Sequence, residues 1–167
     1  MRWLCVVAVV LSVAACKRVP TPTPFTSSGG QGTVVELGDP ASNAHIVEGL
    51  YQIEFNAWRW SAQRFVVELV APPGSDERGA RLRLALTVPE PVIAQNHEAT
   101  LSCSANGTPL PPERWTAVGP QVLERELPPI VGVVVRLECA VGKTLPHGPV
   151  DKRDLGIIVR SLRLDPR

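Results

Sequence analysis

This sequence of 167 residues has no run of 18 or more apolar residues, no paired-cysteine motif, no clustered histidines and no excess of charge of either sign. Each absence excludes something. A helix needs roughly 20 apolar residues to cross a bilayer, and the longest apolar stretch here, Trp3 to Val13, is about half to two-thirds of that. With 17 Lys and Arg against 16 Asp and Glu, the formal charge is +1, and without Arg2 the basic total is 17 − 1 = 16, a balance of zero. A phosphate-binding face needs a clustered basic excess, so no nucleic-acid partner is expected. The many Arg and few Lys fit either a recognition surface or a compositional bias. The three histidines are isolated, so no metal site and no cofactor are expected. Glycine loops that cradle phosphate, a nucleophile elbow and the paired-histidine zinc motif are also missing, and no enzyme activity is expected. Glu48, Glu54, Asp151 and Asp154 could supply the two carboxyls of a glycosidase, but surface charge is their ordinary explanation.

Residues 1–15 have the plan of an export signal: Arg2 as a positive start, an apolar centre, and the small residues Ala14 and Ala15 before the cut. Val13-Ala14-Ala15-Cys16 resembles the lipobox of bacterial lipoproteins. That resemblance implies cleavage before Cys16 and attachment of a diacylglyceryl group and palmitate-type acyl chains to it. At about 0.8 kcal/mol per buried methylene, two or three chains give a lasting membrane anchor. Lys17 follows in place of the Asp that retains many such proteins at the inner membrane, so the expected location is the cell envelope, at the outer membrane where the host sorts by that rule. Residues 16–32 alternate Pro with Thr and then turn to Ser and Gly, the composition of a tether.

Residues 33–167, about 135 positions, are the size of one domain with a proper core. Leu82, Leu84, Leu86 and Val88 alternate with Arg81, Arg83, Ala85 and Thr87, and Phe65, Val67 and Leu69 alternate with Val66, Glu68 and Val70. Further strands are predicted near residues 33–37, 99–105, 121–127, 132–141 and 155–164, while no stretch keeps a helical period. The slip of apolar phase from Ile157 and Val159 to Leu162 and Leu164 predicts a β-bulge near Arg160-Ser161 or a strand buried on both faces. Asn106-Gly107 predicts a tight turn. The expected fold is all-β: a single-domain antiparallel β-sandwich, jelly-roll-like. Cys103 and Cys139 are the only thiols left after Cys5 and Cys16. Both lie in phase with apolar neighbours, and in an exported chain they are expected to form one buried disulfide.

Aromatic residues make up only 5% of the chain, yet Tyr51, Phe55, Trp58 and Trp60 fall within ten positions, around Glu54 and Arg59. Trp58 and Trp60 share one face of an extended segment and Arg59 takes the other. Two readings follow. Tyr51, Trp58 and Trp60 could form a platform that stacks on sugar rings while Glu54 and Arg59 bond the hydroxyls, with Trp115 as a further contact at a loop tip. Alternatively, the tryptophans are core. Gly49-Leu50-Tyr51, Glu54, Trp58-Arg59-Trp60-Ser61, Leu82-Arg83-Leu84, Asn106-Gly107 and Arg153-Asp154-Leu155-Gly156-Ile157 leading to Ser161-Leu162 resemble, across positions 45 to 165, the carbohydrate-binding-like β-sandwich domains that accompany bacterial glycosyltransferases. That resemblance implies a jelly-roll-like domain without its own chemistry, engaged in glycan recognition or assembly. The second expectation is an adaptor that docks an envelope protein.

Overall fold

The computed structural model describes residues 32–167. The expected signal peptide, Cys16 and the tether up to residue 31 lie outside the described residues. Ten strands follow in order: β1 (Val34–Glu36), β2 (Ile46–Glu54), β3 (Trp58–Val70), β4 (Ala80–Val88), β5 (Ala99–Ala105), β6 (Thr108–Pro109), β7 (Glu113–Trp115), β8 (Gly119–Leu127), β9 (Val134–Val141) and β10 (Ile158–Pro166). Two short helices, α1 (Ser75–Arg78) and α2 (Glu90–Asn96), flank β4, and a 3-10 turn covers Pro40–Ala44. Every ladder is antiparallel, and the path runs β6-β5-β9-β3-β10-β4-β8, with β1 on β10, β2 on β3 and β7 on β5. The all-β class expected from the alternation is therefore observed, in the form of one continuous, curled sheet.

The long strand β3 causes the curl. Its first half pairs with β10 (Arg59 with Val159, Trp60 with Ile158) and its second half with β9, from Arg64–Ala140 to Val70–Val134, while β2 runs along its other flank from Trp58 to Val67. The sheet thus parts into two leaves that share β2 and β3. Phe65, Leu69, Leu82, Leu84, Leu86, Leu101, Leu123 and Leu137, drawn from both leaves, are buried in one apolar core. Arg125 bridges the free edges: from β8 it donates to the Pro111 carbonyl (2.8 Å), the Pro112 carbonyl (3.2 Å) and the Glu113 carboxylate (2.9 Å) beside β7.

The outward positions carry paired charge. Arg81 and Arg83 on β4 face their register partners Glu126 and Glu124 on β8 at 2.8 Å each. Arg136 on β9 lies opposite Glu68 on β3. Cross-strand pairing accounts for these arginines without invoking a recognition surface.

Cys103 and Cys139 are joined, and they are direct register partners on β5 and β9. Asn106 and Gly107 both take positive φ in the β5–β6 turn, as expected of that pair. The register of β10 against β4 shifts between Val159 and Ser161, which is the bulge that the phase slip predicted.

Elements that the sequence did not announce include β2 and α2. Strand β2 has three register shifts against β3, so its inward residues Ile46, Leu50 and Ile53 are spaced by four and three rather than two. One shift is set by Gly49, at φ +77°, where a Cβ would lie 1.9 Å from the Arg64 carbonyl oxygen. Helix α2 is seven residues long and buries only Val92, too little to show a period.

Candidate functional site

Arg59, Ser61, Phe65, Val67 and Leu69 of β3 are buried on its inward face, although Gln63 between them is exposed and Val66, on the opposite face, is also buried. Alternation then puts Trp58 and Trp60 on the outer face, where both are half-buried. The β2–β3 hairpin closes through Phe55 (φ 53°) and Asn56 (φ 51°), with the Ala57 amide donating to the Glu54 carbonyl at 3.1 Å. This turn matches the strand twist, but it asks for left-handed backbone at two residues. Asn tolerates that conformation; Phe does so at a cost on the order of 1 kcal/mol. The turn holds the Phe55 ring 85% exposed. Phe55 and Trp58 are 5.7 Å apart, ring centroid to centroid, and Trp58 meets Trp60 edge-on at 6.1 Å.

Glu54 is the register partner of Trp58 and so shares its face. Arg153 reaches it from the segment before β10, donating from Nη1 to Glu54 Oε1 at 2.8 Å. Its Nη2 and Nε bind Asp151 Oδ2 (2.8 Å) and Oδ1 (3.0 Å), and its backbone N–H adds a bond to Asp151 Oδ1. The guanidinium also lies 5.3 Å from the centre of the Tyr51 ring. These bonds from Arg153 hold the Asp151 carboxyl down at about 2. Asp151, and after it Glu54, in turn keep the Arg153 guanidinium firmly charged. Tyr51 donates to the Asp154 carbonyl at 3.1 Å, and the Asp154 carboxylate accepts the His147 backbone N–H at 2.7 Å, which holds its pKa below the ordinary value. The result is a raised aromatic surface bordered by three carboxylates and one guanidinium.

Of the residues the sequence singled out, Tyr51, Glu54, Trp58 and Trp60 come together here. Two do not. Arg59 is 4% exposed and points away from the tryptophans, donating to the Leu37 carbonyl (3.2 Å), the Tyr51 carbonyl (3.0 Å), Ser42 Oγ (3.3 Å) and Asn43 Oδ1 (2.7 Å). Its work is to fix β2 and the 3-10 turn, and it has no donor directed at a ligand. Trp115 is 9% exposed, paired with Ala99 across β7 and β5 and packed in the core rather than at a loop tip. Phe55 and Arg153 join the site instead. The exposure of Phe55 follows from a turn type that its own sequence does not announce. Arg153 is 99 positions from Glu54, so no local spacing could have linked them.

Two shallow depressions lie elsewhere, one beside Arg64, Ser102 and Glu138, the other beside Asn106, Pro129 and Val131. Among the described residues no group of His, Cys, Asp and Glu is placed to hold a metal ion, and no helix is long and apolar enough to cross a membrane. No protein-family model, no curated protein and no solved structure matches this chain.

Proposed function

We propose that this protein is a lipid-anchored, non-catalytic component of a bacterial envelope whose curled β-domain recognises glycan. The observation that carries the reading is the outer-face cluster of Phe55, Trp58 and Trp60 beside Tyr51, Glu54 and Arg153. A sandwich core would have taken such rings inward; here the alternation of β3 turns them out. Aromatic faces stack on the apolar faces of pyranose rings, and carboxylates at their border accept hydroxyl hydrogen bonds. Glu54, Asp151 and Asp154 outnumber Arg153 and the exposed Lys152 here, which favours neutral or amino sugars over acidic ones. The ionised state of Asp151 and the sharing of Arg153 between Asp151 and Glu54 support a binding rather than a proton-donating role. The lipid anchor rests on Val13-Ala14-Ala15-Cys16, and an outer-membrane location on Lys17. Binding of the protein to a glycan array, with and without Trp58→Ala and Trp60→Ala, tests the glycan reading; a labelled fatty acid incorporated by the parent chain and not by Cys16→Ser tests the anchor.

The second reading is an adaptor for an envelope protein. One observation favours it: β8, nine residues long, pairs with β4 alone, and an open strand edge is a template for another chain.

A further inference from the structure

Residues 127–135 read Leu-Pro-Pro-Ile-Val-Gly-Val-Val-Val, nine positions without one polar side chain. Leu127, Ile130 and Val135 are buried, but Val131 is 93% exposed, Val133 77% and Val134 43%. The loop is fixed rather than loose: the Ile130 amide donates to the Ser75 carbonyl at 2.8 Å, and the Val133 carbonyl accepts from the Ala71 amide at 2.9 Å. Val70, the register partner of Val134, extends the same apolar surface. Isolated exposed valines are ordinary, but a contiguous apolar loop held outward by buried neighbours marks a contact surface.

The position of the loop decides its partner. The Val70 amide donates to the Gly32 carbonyl at 2.9 Å, and the very next amide, Ala71, binds Val133. The polypeptide leading back to Cys16 therefore joins the domain beside the valines. The aromatic cluster lies at the other end of β3, twelve residues away, a path of at most about 40 Å at 3.3 Å per residue. Cys16 precedes Gly32 by 16 positions, at most about 50 Å even as extended polyproline, close enough to give even a weak apolar contact a high local concentration.

We infer that the 127–135 loop rests on the lipid surface, with Val131 and Val133 seated at the boundary between headgroups and acyl chains and the aromatic cluster directed away from the membrane. The inference rests on the lipid-anchor reading. Helix α1, bonded to the loop at Ser75, carries exposed Asp76 and Glu77 with Arg78, and Arg136 at the end of the loop is paired with Glu68 and Glu138. The contact is apolar and needs no anionic lipid.

The test uses the full chain, with valine methyl groups labelled, in nanodiscs of phosphatidylcholine that include a nitroxide lipid. Val118 and Val150, exposed but at the aromatic end, are internal controls. Methyl signals of Val131 and Val133 should lose at least half their intensity while those of Val118 and Val150 lose less than a tenth, with no change on adding salt. In Val131→Asp with Val133→Asp, which alters only exposed side chains, the broadening of Val134 and Val70 should fall at least threefold. Equal broadening of all four valines, or none at the loop, overturns the inference. The mass of the N-terminal fragment reports acylation of Cys16 separately. Unbroadened valines on an acylated chain defeat the inference alone; an unacylated chain defeats the anchor reading and the inference with it; selective broadening on an acylated chain supports both.

Discussion

Arg153 and Glu54 meet at 2.8 Å although 99 positions separate them, and this contact holds the irregular segment before β10 against the aromatic hairpin. The pair is partly exposed, 31% and 26%, so its share of global stability should be small, about 1 kcal/mol or less. Arg153→Ala should therefore leave the unfolding midpoint nearly unchanged, speed amide exchange in residues 142–155, and weaken glycan binding by about tenfold. Arg153→Lys keeps the charge but loses the forked bonds to Asp151, and should recover only part of the affinity.

Asp151 makes the same segment sensitive to acid. Its carboxyl titrates near 2 when folded, against an ordinary value of 3.8. A carboxyl lowered by folding stabilises the fold fully above its unfolded value and loses that contribution as pH falls through its folded one. The stability that Asp151 contributes should be full above pH about 4 and fade as pH falls towards 2, while the Arg153 contacts themselves should be half lost only near pH 2. A carboxyl-carbon NMR titration checks this, and Asp151→Asn should remove the dependence from the neighbouring amides.

Arg59 and Trp60 are adjacent on β3 and should behave oppositely. Arg59→Ala strands the Leu37 and Tyr51 carbonyls, Ser42 and Asn43, and should cost about 3 kcal/mol in urea unfolding. Trp60→Ala removes a half-buried ring from the outer face; it should cost clearly less and act on binding instead.

The Cys103–Cys139 bridge spans 36 residues of chain, for which loop-closure entropy gives on the order of 3 to 4 kcal/mol. Cys103→Ala with Cys139→Ala should lower the unfolding free energy measured in urea by about that amount. Because β5 and β9 keep their ladder without the bond, the variant should retain the β spectrum of the parent at low temperature.

Legibility in the sequence followed physical range. Strand β4 was plain because it is regular, with Leu82, Leu84 and Leu86 inward and arginines outward. The Val159–Ser161 shift and the Asn106-Gly107 turn were plain because each depends on neighbouring residues. Strand β2 was not, because its bulges are dictated by contact with β3 at Gly49. The aromatic face was half legible: alternation put Trp58 and Trp60 together, but which side of β3 met the core was decided by Phe65, Val67 and Leu69 further along the strand. Trp115, beside Pro111-Pro112, had the neighbours of a loop residue, and only its pairing with Ala99 drew it inward. The partnership of Glu54, Asp151 and Arg153 belongs to the tertiary fold.

Glycan binding by the intact protein, beside Trp58→Ala and Trp60→Ala variants whose folding is verified by circular dichroism and thermal melting, tests the central claim most directly. The account predicts saturable binding to neutral or amino-sugar glycans by the parent chain and its loss in both folded variants. Absence of binding by a well-folded parent chain, or undiminished binding by the variants, would contradict it.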